Sequence, residues 1–100
     1  MAYHIKPAEV SYLDVYVGGN KRPKRVPTAG SLPAPWLIRH NKVASLPDEE
    51  RGAAWFEFFY DLFREYVGPQ VDAMTADQLN ELAEAWGDAT EEQDGATSGE

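Results

Sequence analysis

Residues 48–67, DEERGAAWFEFFYDLFREYV, limit this 100-residue chain more than any other stretch, because seven of its twelve aromatic residues fall between positions 55 and 66. Pro47 followed by Asp48, Glu49 and Glu50 is the opening of a helix, with a proline and three acids complementing the N-terminal end of the dipole. Gly68 can take a positive φ at the far end, and Pro69 cannot continue the helix. On a wheel of about 100° per residue, Glu50, Ala54, Glu57, Asp61 and Arg64 form one polar stripe. Trp55, Phe56, Phe58, Phe59, Tyr60, Leu62, Phe63, Tyr66 and Val67 spread over the rest, an arc of roughly 200°. A helix that packs one face on a small core needs about half that width. This helix must therefore be covered on two sides.

What else the chain offers as cover is modest. Residues 9–17, EVSYLDVYV, alternate as a strand does, with Tyr12, Asp14 and Tyr16 on one face and Leu13, Val15 and Val17 on the other. Gly18-Gly19-Asn20 accepts the positive φ of a turn. The following KRPKRVP contains Pro23 and Pro27, which cannot donate to a ladder, so it is expected as a ragged return strand at a sheet edge or as a basic arm. Two strands alone are rarely stable in water, and this hairpin, about 9–26, has to lean on helices or on another molecule. PTAGSLPAP, residues 27–35, reads as a linker. Pro35 can then open a short helix over about 36–43, with Trp36, Leu37 and Ile38 as its apolar part.

A last helix is expected over about 75–86. Thr75 and Gln78 have the spacing of a capping box, and Leu79, Leu82, Ala83 and Trp86 recur on one face. Gly87 is the expected stop. Residues 88–100, DATEEQDGATSGE, hold no aromatic or large aliphatic side chain and are expected as a disordered acidic tail. The fold class expected is α+β, mainly α: an N-terminal β-hairpin followed by a short helix, a long central helix and a C-terminal helix, forming one small domain over 1–87.

Charge and composition exclude several functions. The formal charge of −8 conceals a division: residues 1–47 carry +5 and residues 48–100 carry −13. Phosphate binding is driven by exchange of cations for counterions, so nucleic acid is not favoured as the main partner. A chain polarised in this way suits neutralising itself, or meeting copies of itself head to tail. There is no cysteine, hence no disulfide and no thiolate chemistry. MAYHIKPAEV has no apolar core of a secretory signal, and no run approaches the ~18 apolar residues of a membrane span. A soluble protein of the cytoplasm is expected.

Catalytic patterns are missing. His4 and His40 stand in unrelated segments, and zinc takes about four convergent ligands, so no metal is expected. Asp48, Glu49 and Glu50 are neighbours in one exposed turn, whereas carboxylate pairs that do acid–base work face each other across a cleft. No serine elbow and no phosphate-binding glycine loop occurs. The chain is expected to be no enzyme and to carry no cofactor. Candidate partner-binding residues are the aromatics Trp36, Phe56, Phe58, Tyr60, Phe63 and Trp86, because an arc so wide outstrips the cover available and exposed apolar patches mark interaction sites. Lys21, Arg22, Lys24 and Arg25 form the one dense basic run. It can protect a sheet edge, hold an acidic partner surface, or serve a small regulatory or nucleic-acid-binding module. A pocket beside the central helix would instead suit an enzyme subunit or a small-ligand binder.

From LPAPWLIRH through MTADQLNELAEAW to the acidic end, about two-thirds of the chain resembles the tail assembly chaperones of long-tailed bacteriophages and prophages, especially those infecting actinobacteria. The likeness lies in the order of features: a proline-led short helix, a longer helix, the threonine-led helix Met74–Trp86, and a Gly/Ser/acid-rich tail. The hairpin and the KRPKR run are less typical of the family. The resemblance implies a protein that binds the tape-measure protein during tail assembly, keeps that long rod soluble and helps to recruit the major tail protein. It implies absence from the mature virion and a longer product made by translational frameshifting; a place in the cytoplasm of the bacterial host is expected with it, and the uncovered part of the apolar arc adds an expectation of self-association.

Overall fold

The structure, a computed structural model, describes residues 2–4, 10–19 and 21–98, with side chains to residue 92. Two short strands, β1 (Tyr12–Val15) and β2 (Lys24–Pro27), pair antiparallel with Leu13 opposite Val26 and Asp14 opposite Arg25. Three helices follow: α1 (Ala34–Ala44), α2 (Asp48–Tyr66) and α3 (Ala76–Ser98). The chain is α+β and mainly α. The expected alternation in β1 holds, with Leu13, Val15 and Val17 half-buried and Tyr12, Asp14 and Tyr16 exposed. Gly18 has φ 57°, which supplies the turn. The first residue of the expected strand, Glu9, and Asn20 of the turn lie outside the described residues.

The helix ends show which local signals govern. Thr75 and Gln78 bond reciprocally: the Thr75 N–H donates to Gln78 Oε1 at 2.9 Å and the Gln78 N–H to Thr75 Oγ1 at 3.2 Å. At the end of α2 the Val67 and Gly68 N–H groups both donate to the Phe63 carbonyl, and Gly68 turns the chain out at φ 118° before Pro69. That φ is open to glycine and strained for any other residue.

Gly87, by contrast, does not stop α3. The helix runs through it to Ser98, so Asp88–Glu92 are helical turns and the tail expected from residue 88 does not begin there. Two bonds from the N-terminal part of the chain hold α3 on either side of the glycine. Trp86 Nε1 donates to the Pro27 carbonyl at 2.8 Å, and the Ala29 N–H donates to Thr90 Oγ1 at 3.2 Å. Residues 99 and 100, and the side chains of 93–98, lie outside what is described.

The segment expected as a linker is packed. Thr28 and Leu32 are buried, Ala29–Ser31 forms a single 3-10 turn, and the Ser11 N–H donates to Ser31 Oγ at 2.7 Å. Proline and glycine here shape a path along the core. In α1 the inward face is Trp36, His40 and Val43, at spacings of four and three, while Leu37 and Ile38 point outward. The expectation that Trp36, Leu37 and Ile38 together form the apolar contribution is corrected to that extent. Consecutive residues lie about 100° apart on a helix, so three in a row cannot share one narrow face.

The core forms where these elements converge on α2. Val26 from β2, Leu32, Val43 from α1, Leu79 and Trp86 from α3, and Val71 from the turn after α2 enclose Phe58, Leu62 and Phe63, which are fully buried. The polar stripe of α2 ties the elements together from outside. Arg39 of α1 reaches Asp61 at 2.6 Å, and Arg64 reaches Asp72 of the following turn at 3.3 Å.

Candidate functional site

The arc of α2 is sheltered on most of its circumference by α1, β2 and α3. One sector stays open. Trp55 and Phe59 are half-buried there and Phe56 is 41 % exposed. The sector faces a groove of about 590 Å³ between the N-terminal half of α2 and the middle of α3. Its α2 wall is Gly52, Trp55, Phe56 and Phe59, and its α3 wall is Leu79, Asn80, Ala83, Glu84 and Gly87. His40 and Trp86 complete the lining.

Aromatic stacking holds the floor rigid. Trp55 and Phe59 stack with ring centroids 5.7 Å apart, and Phe59 stacks on Phe63 at 5.7 Å. Trp86 meets Phe59 edge to face at 5.5 Å. His40 lies among Trp55, Phe58 and Trp86, with its ring centroid 4.9 Å from that of Trp55. Such offset and edge-on pairs contribute about 0.5–1.5 kcal/mol each beyond the area they bury. The His40 Nδ1 is buried without a hydrogen-bond partner. Read from the sequence, His40 is an isolated histidine; in the fold it is a flat ring in an aromatic cluster, brought there by its spacing of four from Trp36.

Two glycines line the groove. Gly52 and Gly87 both lie inside helices, neither has a positive φ, and a Cβ at either would meet no atom within 4 Å. A helical glycine costs about 1 kcal/mol relative to alanine. Neither turn geometry nor close packing requires glycine at these positions, and both line the same recess.

The aromatic residues singled out in the sequence divide by burial. Phe58, Phe63 and Trp86 are core, at 0–3 % exposure, and Phe58 and Phe63 lie outside the groove lining. Trp86 touches the groove only from its floor. Tyr60 is half-buried outside the groove, where its hydroxyl donates to Asp72 Oδ1 at 2.5 Å. Trp36 is half-buried on the α1 side, edge-on to Phe58 and under the Arg39 guanidinium. Phe56 alone of the six is an exposed wall of the groove. Trp55 and Phe59 belong to the wide apolar arc, Trp55 to Val67, from which contact with a partner is expected; Gly52 and Gly87 are groove residues that the sequence pattern did not mark as partner-binding, and their mid-helical position was the available signal.

No family model, no curated protein and no solved structure matches the chain.

The basic run lies apart from this lining. Lys21, Arg22 and Lys24 are exposed around the hairpin turn, while Arg25 pairs with Asp14 across the strands at 3.6 Å and lies over the Tyr12 ring. The structure thus brings the aromatic candidates together around α2 and leaves the basic ones on the hairpin. Among the described residues no group of three or more His, Asp or Glu side chains could hold a metal ion, and no helix is long and apolar enough to cross a membrane.

A perturbed ionisable cluster among the described residues is structural in position. Tyr60, Arg64 and Asp72 link α2 to the turn that follows it. The hydrogen bond from Tyr60 holds the Asp72 carboxyl below its ordinary value, with Arg64 acting in the same direction. The same bond raises Tyr60, and Asp72 raises Arg64. Arg64 and Asp72 are exposed and Tyr60 is half-buried, and the cluster joins the C-terminal half of α2 to the turn after it.

Proposed function

We propose that this protein is a phage or prophage tail assembly chaperone, and that the groove between α2 and α3 holds a helical segment of the tape-measure protein. The observation that carries the proposal is the open aromatic wall of α2. After the other described elements have packed, Trp55, Phe56 and Phe59 still line a recess together with two helical glycines. Grooves of this kind accept the apolar face of an amphipathic helix. Gly52–Phe59 and Leu79–Gly87 each span about 12 Å at 1.5 Å per residue, which accommodates about two turns of a partner.

In this function chemistry is absent and protection is the task. Apolar side chains of the tape measure that would otherwise aggregate are covered, the acidic exterior keeps the complex dispersed, and copies bound in series along one rod reinforce each other. Assistance to the major tail protein, self-association, action in the host cytoplasm and release before the virion is complete belong to the same proposal. It draws its specific partner from the order of helices shared with the family and its mode of contact from the groove.

Co-expression with the tape-measure protein encoded beside it provides the test. The intact chain is expected to keep that protein soluble and to co-purify with it. Phe56→Asp, at an exposed position, is expected to leave the helical circular dichroism unchanged and to return the tape measure to the insoluble fraction. Full retention of solubility by Phe56→Asp would remove the groove from the mechanism, and no effect of the intact chain would remove the chaperone function.

A further inference from the structure

The groove has apolar walls and an acidic margin. Glu84 is part of its α3 wall. Asp77 and Glu91 stand seven residues to either side, within about 20° of Glu84 around the helix and about 10 Å along it. All three are exposed. Glu49 has the corresponding place on α2, seven residues before Phe56 and exposed as well. None of the four is in an ion pair among the described residues. The two arginines of residues 48–100 are both engaged elsewhere, Arg51 with Asp48 and Arg64 with Asp72. A helix lying in the groove thus has aromatic rings beneath it and unneutralised carboxylates along its flanks.

We infer that the groove selects an amphipathic helix whose apolar stripe is bordered by lysine or arginine, the borders pairing with Asp77, Glu84 and Glu91 on α3 and Glu49 on α2. The inference rests on the groove being a helix-binding site and adds the charge of the occupant. Apolar contact supplies affinity with little discrimination among helices, since any Leu- or Phe-rich stripe fills the recess. The margin supplies the discrimination, because an acidic border would be held against like charges. A partner helix of about four turns, extending beyond the groove at both ends, presents border positions at the same seven-residue spacing as Asp77, Glu84 and Glu91, so one register satisfies several pairs at once.

The test uses the full chain and two labelled synthetic peptides. They share one Leu/Phe stripe and differ only in having lysine or glutamate at the border positions. By fluorescence anisotropy at low salt the lysine peptide is expected to bind ~10-fold tighter than the glutamate peptide, the sum of a few exposed pairs, with the gap closing as salt rises. The variant Glu49→Gln/Asp77→Asn/Glu84→Gln/Glu91→Gln changes only exposed side chains and is expected to bring the two peptides to within ~2-fold of each other. Equal affinity of the intact chain for both peptides overturns the charge inference and leaves the groove intact as a site. A preference that survives in the quadruple variant overturns the assignment to these carboxylates. Binding of neither peptide overturns both the inference and the groove. A dimer of the chain alone that Phe56→Asp disperses would show that a second copy fills the groove, and would also overturn the inference.

Discussion

Asp72 shows how a single exposed side chain can fix an element boundary. It accepts hydrogen bonds from Tyr60 and Arg64, both on α2, while belonging to the 3-10 turn Pro69–Ala73 that leads to α3. Its carboxyl lies below the ordinary value because these donors favour the ionised form, the Tyr60 hydroxyl most. A depressed folded-state value means that the contribution to stability is present above the unfolded-state value of 3.8 and is lost as pH falls through the lower folded one. Acid is therefore expected to loosen the α2–α3 connection in that window. Tyr60 behaves in the opposite sense. Its raised value gives a contribution that is complete below its ordinary 10.0 and lost as pH climbs through the folded value. Asp72→Asn is expected to bring the Tyr60 phenolate titration, followed by absorbance, back toward its ordinary range and to flatten the acid limb of stability. A Tyr60 titration unchanged in the variant would show that the bond does not hold in solution.

At the scale of elements, α3 depends on contacts far away in sequence. Trp86 Nε1 is the bond that ties it to the end of β2, and Pro27 is buried, so its carbonyl has no water to turn to. Trp86→Phe keeps a ring on Phe59 and His40 but leaves that carbonyl unpaired, at a cost of about 1–3 kcal/mol. The expected result is a lower denaturant midpoint together with faster amide exchange over Asp88–Glu92, the turns beyond Gly87. A midpoint within error of the parent would mean that the indole N–H contributes nothing net. The same contacts explain what could be read in the sequence and what could not. The Thr75/Gln78 box, the Pro47 opening and the Gly68-Pro69 exit act within a few residues, and each was visible as a local pattern. Gly87 looked equally local, but Trp86 and Thr90 hold the helix across it from positions 59 and 61 residues away. Burial within the aromatic arc was similarly hidden. Phe56 and Phe63 differ by only about 20° on the wheel, yet one is 41 % exposed and the other fully buried. They sit about two turns apart along the axis, and only the placement of the surrounding elements decides which is covered.

For the whole molecule, the groove amounts to stability left unused. Gly52 and Gly87 weaken two helices in a chain short enough for its core to be marginal, and open space lies over both. Leucine at each position relieves the helical cost of glycine and lays a side chain against Trp55, Phe56 and Ala83, burying apolar surface that is now wet. The double variant Gly52→Leu/Gly87→Leu is accordingly expected to be more stable than the parent by about 1–2 kcal/mol, counting the propensity of the two sites and no more. It is also expected to lose the groove. Most substitutions that abolish binding lower stability or leave it unchanged, so a gain in melting temperature joined to a loss of helix-peptide binding would separate occupation of the recess from damage to the fold. Were the variant more stable and still able to hold the peptide and the tape measure, the recess would be an incidental gap between two helices, and the partner surface would have to be sought on the outward faces of α1 and the hairpin.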